Sequence, residues 1–98
     1  MTYAKRVDAN LREIADTFRK LGCSVWVVND RVDLVIGYGG LSMLVEVKDG
    51  KKAPSRQKLT TAQVKFRETW TGGIYLVNSL DSAQQAVRTL RYWAQAVK

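Results

Sequence analysis

The 98-residue sequence contains no histidine and a single cysteine, Cys23. Without histidine there is no Ser-His-Asp or Cys-His nucleophile and no histidine-held catalytic metal. One cysteine forms no internal disulfide, and with no histidine beside it there is no Cys/His zinc site. Chemistry in this chain has to run on carboxylates, lysine, amide side chains and metal. Long apolar runs are also lacking: no stretch reaches the length of a membrane span, and the opening MTYAKRVDAN has no apolar signal core. The expectation is a cytoplasmic protein that does not engage a membrane.

Acidic residues are the minority charge. Nine Asp and Glu against sixteen Lys and Arg leave a net charge of +7. An excess of that size in a small protein favours a polyanionic partner, because lysine and arginine that neutralise phosphates release counterions. The plainer alternative is a basic protein kept soluble by its charge. The length fits one domain, 1–98, with a core of its own.

The richest stretch runs from Val32 to Lys48, VDLVIGYGGLSMLVEVK. Two apolar runs flank Gly39-Gly40, a turn signal that folds the first run back on the second. Residues two apart on a strand share a face, so Glu46 and Lys48 project together, and the hairpin brings Asp33 beside them. Inward charges on apolar strands require compensation, and a hard divalent cation compensates two carboxylates. The competing reading is a solvated cross-strand charge pair.

Around this hairpin the pattern predicts α-β-β-β-α-β-α. Leu11, Ile14, Ala15, Phe18 and Leu21 follow Asn10, an N-cap residue, and stop at Gly22. Cys23 to Val28 reads as a strand apolar on both faces, followed by strands over Val32 to Ile36 and Leu41 to Val47. Asp49 to Lys58 is a loop by its glycine, proline and charge. Thr60 or Thr61 caps a second helix with Ala62, Val64, Phe66 and Trp70 as its apolar positions. Ile74 to Val77 reads as a short buried strand. Asp81 or Ser82 opens a last helix whose stripe is Ala83, Val87, Leu90, Ala94 and Val97. Three hairpin-linked strands and a helical crossover into a fourth give an α/β fold, a mixed central sheet flanked by helices.

The segments VDLVIG, LVEVKDG, PSRQKLTTAQVKF and ETWTGG, with DANLREI near the start, resemble the PD-(D/E)XK nuclease superfamily. The likeness covers nearly the full chain and is to the small stand-alone virus-type replication-repair nucleases common in phages. Val32 stands where that pattern has proline. The resemblance implies a restriction-endonuclease-like fold and a Mg²⁺- or Mn²⁺-dependent DNA endonuclease. Asp33, Glu46 and the Val47 carbonyl would ligate the metal. Lys48 would orient or help deprotonate the attacking water. Gln63 would position water or phosphate, and Glu13 on the first helix would reach the metal site.

Read without the resemblance, Gln63 is a solvated helix glutamine and Glu13 a partner of the helix dipole. Lys51, Lys52, Arg56, Lys58, Lys65 and Arg67 would form a DNA track that reads structure rather than sequence. Trp26, Trp70, Tyr92 and Trp93 are candidates for a homodimer interface, and a two-fold dimer suits branched DNA such as a four-way (Holliday) junction. The setting implied is the cytoplasm of a phage-infected or prophage-bearing bacterium. Two alternatives stay open: a non-catalytic nucleic-acid-binding module, and a basic subunit of a larger phage assembly.

Overall fold

The structure, a computed structural model, describes residues 9–48 and 60–96. The elements follow the expected order: α1 (Ala9–Lys20), β1 (Ser24–Val27), β2 (Leu34–Tyr38), β3 (Leu41–Val47), α2 (Thr61–Thr69), β4 (Ile74–Val77) and α3 (Leu80–Ala96). The strands form one mixed sheet in the order β1-β2-β3-β4, antiparallel except for the parallel β3–β4 pair that α2 connects.

Local chemistry sets the boundaries. Helix α1 ends in a Schellman turn, with Gly22 at φ 93° and Cys23 N–H donating to the Phe18 carbonyl at 3.0 Å. Gly39 and Gly40, at φ 59° and 85°, form the two-residue turn that right-handed strand twist favours. A Cβ on Gly39 would also lie 2.9 Å from the Ala94 Cβ of α3, so the same residue lets that helix close onto the hairpin. Ser79, not Asp81 or Ser82, caps α3: its hydroxyl accepts from Ser82 N–H, and the Ser82 hydroxyl accepts from Ser79 N–H, both at 3.0 Å.

Residues directly opposite across paired strands share a face. On one face Leu34, Ile36, Met43, Val45 and Val77 pack against Leu11, Ile14, Ala15 and Phe18 of α1 and Ala83, Ala86, Val87 and Leu90 of α3. Cys23 is buried there as a free thiol, and burial pushes its pKa up despite the nearby Arg91.

The other face departs from the sequence expectation. Strand β1 was expected to be covered on both sides, yet Ser24 is exposed and Trp26 is 67% exposed, because β1 is an edge strand packed from one side only. Strand β4, expected to be buried, exposes Leu76 on that same face. The expected apolar stripe of α2 does not pack either. Ala62 and Val64 are exposed, Trp70 lies just past the helix with its ring stacked on Phe66, and the one buried residue of the helix is Gln63.

Two boundaries shift for related reasons. Asn10 does not cap α1 but lies inside it, its side-chain amide donating to the Lys48 carbonyl at 2.9 Å. Strand β2 begins at Leu34 rather than Val32, since the Asp33 carbonyl takes the Val28 and Asn29 amides in an irregular junction. Val97, expected on the α3 stripe, lies outside the described residues.

Candidate metal centre

The hairpin register ends with Leu34 opposite Val45, and Asp33, the residue just before it, comes beside Glu46. The Asp33 backbone is held from both sides, donating to the Val45 carbonyl at 3.1 Å and accepting from Val28 N–H at 2.9 Å. Its side-chain Oδ2 accepts from the Val47 amide at 2.7 Å. Val47, expected to lend its carbonyl to a cation, thus orients the neighbouring carboxylate through its amide.

Glu46 is fully buried. Its Oε2 accepts from Gln63 Nε2 at 2.7 Å, while its Oε1 is buried and accepts from no donor among the described residues. Gln63 Oε1 in turn accepts from Lys48 Nζ and from Thr60 N–H, both at 3.0 Å. Two donors on Oε1 fix the orientation of the amide, so its NH₂ has to face the carboxylate. Thr60 completes the arrangement as the α2 N-cap, its hydroxyl accepting from Gln63 N–H at 3.2 Å.

Burial first, and then the charge of Asp33, push the Glu46 pKa up to about 7. Lys48 and Arg67 pull in the opposite direction without cancelling the shift, and a hydrogen bond to Asp33 favours the protonated form. The pair therefore needs one more positive charge than its surroundings supply. Below neutrality a proton provides it; above neutrality the site is short of positive charge. Two hard carboxylate donors, one with an unpartnered buried oxygen, are a donor set suited to Mg²⁺ or Mn²⁺. The residues fit such an ion.

Other expected site residues lie further out. Lys48 meets Glu46 through Gln63, not directly. Glu13 is exposed on α1, and among the described residues no third carboxylate, histidine or cysteine joins Asp33 and Glu46. Arg67 is half-buried within electrostatic reach of Glu46, and Lys65 is exposed. Lys51, Lys52, Arg56 and Lys58 lie outside the described residues.

Thr60, one of the two expected caps, is the cap of α2, but two ties escaped the sequence reading. The Thr60-x-x-Gln63 spacing is a capping-box signature that could have placed the Gln63 side chain beside Thr60. Nothing in the sequence signalled that Asn10 ties α1 to the end of β3. Comparisons with protein-family models, with curated proteins and with solved structures each find no match.

Proposed function

We propose that this protein is a metal-dependent DNA endonuclease of restriction-endonuclease-like fold, related to the PD-(D/E)XK superfamily and its virus-type replication-repair branch. The observation that carries the reading is the buried Glu46 carboxylate with one orphaned oxygen, set against Asp33 on the neighbouring strand.

Asp33 and Glu46 would hold Mg²⁺ or Mn²⁺, with the Val47 carbonyl available at the same strand end. When bound, the ion supplies Lewis acidity and lowers the pKa of water, the chemistry that phosphodiester hydrolysis requires near neutral pH. Lys48, held by Gln63, offsets the negative charge of an incoming phosphate. Arg67 and Lys65 extend that positive field along α2, and Lys51, Lys52, Arg56 and Lys58, outside the described residues, add to the net positive charge. Gln63 holds the Glu46 Oε2, and that oxygen would serve as a ligand once its hydrogen bond to the Gln63 amide is released.

Branched replication or recombination intermediates, cut by a two-fold dimer in a bacterial cytoplasm, are the proposed substrates and setting. Exposed Tyr92 and Trp93 on α3 offer apolar surface for such pairing. The complete burial of Glu46 favours one second reading, a nucleic-acid-binding module whose site stays closed.

A cleavage assay on branched, flapped and linear DNA with Mg²⁺ or Mn²⁺ separates the two. Cleavage by the native protein, lost in Asp33→Ala and Glu46→Ala, is the expected result. Tight binding with no cleavage under any metal would favour the module.

A further inference from the structure

The face of the sheet away from α1 and α3 carries an ordered pattern. Register places Trp26, Val35, Leu44 and Ile74 in one row across all four strands. The next row holds Glu46 and Leu76, with Asp33 beside Glu46 just before β2; the row on the other side holds Ser24, Gly37 and Ser42. The metal-binding carboxylates thus share a face with an uncharged apolar row, two residues or about 7 Å away along the strands. Val35, Leu44 and Ile74 are half-buried, whereas Trp26 stands 67% exposed at the edge strand.

We propose that Trp26 is a stacking platform for an unpaired base of the nucleic acid whose phosphate is received by Lys48 and Arg67 beside the Asp33–Glu46 pair. The inference rests on the nuclease reading above and adds a substrate feature to it: a single-stranded segment next to the cut.

Three observations select this occupant. The row carries no charge, so it suits the face of a base and not a phosphate, while Lys48 and Arg67 lie within electrostatic reach of Glu46 to receive the backbone. Adding the spacing between strands, Trp26 stands about 8 Å from the Asp33 position and about 12 Å from Glu46, a span of the order of one to two nucleotide steps. A second copy of the chain is a poor match for this surface: its exposed apolar residues are Trp26, about 170 Å² or two thirds of the ~250 Å² of a large aromatic, and Leu76, together well short of the ~800 Å² per partner of a stable interface. An indole face is the strongest common platform for sequence-tolerant stacking, since every base presents a π-face.

The test is binding of a fluorescently labelled oligothymidylate, and of a duplex of the same length, in EDTA so that nothing is cut. Trp26→Ala is expected to weaken single-strand binding about tenfold, Trp26→Phe to keep most of it, and duplex binding to stay unchanged. Unchanged single-strand affinity in Trp26→Ala would overturn the platform. So would equal loss on both substrates, or conversion of a native dimer to a monomer, which would make the face a self-interface. The two readings fail differently. A native protein that cuts DNA but shows no Trp26 effect loses only the platform, and one that neither binds nor cuts DNA loses both.

Discussion

The two faces of this sheet are made from the same four strands and have opposite characters. One is sealed by α1 and α3 and carries only apolar side chains, several with no exposed surface at all. The other carries Asp33 and Glu46 in a row beside apolar residues, and α2 reaches it through a glutamine instead of an apolar stripe. The first face holds the fold together by burial. The second keeps two carboxylates close at a cost in stability, an arrangement that the first face makes tolerable.

The largest effect is expected on the sealed face. Phe18 is completely buried between α1 and the sheet, and Phe18→Ala should lose about 3–5 kcal/mol in chemical denaturation. A loss under about 1 kcal/mol would mean that α1 does not anchor the core.

On the carboxylate face the expected effect depends on pH, and its sign follows from linkage. The folded protein holds the Glu46 proton up to about pH 7, whereas the unfolded chain releases it near 4.5. Stability is therefore fully present below the unfolded value and lost as pH rises through the folded one, by about 3 kcal/mol in the absence of divalent metal. Glu46→Gln should flatten this dependence and be the more stable protein above neutrality. Urea titrations at acidic and alkaline pH in EDTA measure it. Parallel curves for the two proteins would remove Glu46 as the source of strain.

A smaller effect belongs to the cap that joins α2 to this face. Thr60→Ala removes the hydroxyl that accepts from Gln63 N–H and should cost about 1 kcal/mol. The change should also loosen the Gln63 amide over Glu46, read as faster hydrogen exchange at the start of α2. Exchange unaltered there would mean that the helix is held by something other than its cap. The smallest effect is expected at Tyr92, 70% exposed on α3, where Tyr92→Ala should shift monomer stability by no more than about 0.5 kcal/mol.

Much of the sealed face was legible in the sequence, because helical periodicity in α1 and α3 and a Gly-Gly turn are local signals that tertiary packing reinforces. The Asp33–Glu46 juxtaposition was legible for the same reason: counting outward from Gly39-Gly40 fixes the register. The open face was not. Val64 reads as a core former, and Trp26 as either core or interface, and both are exposed because no described element covers them. Gln63 was read, without the resemblance, as a solvated side chain. A buried polar group of this kind is set by partners distant in sequence, here Glu46 and Lys48, which no local pattern encodes. Asn10 shows the same ambiguity, since a short amide serves equally as a helix cap or as a tether to another element's carbonyl.

The most direct test of the carboxylate pair as a metal site is calorimetric titration of the nucleic-acid-free protein with Mn²⁺ at a pH well above the Glu46 value of about 7, where both carboxyls are ionised. Saturable binding by the native protein that disappears in Asp33→Ala is the expected result. Equal binding heats in the two proteins, or none in either, would contradict the assignment of Asp33 and Glu46 as the ion's ligands.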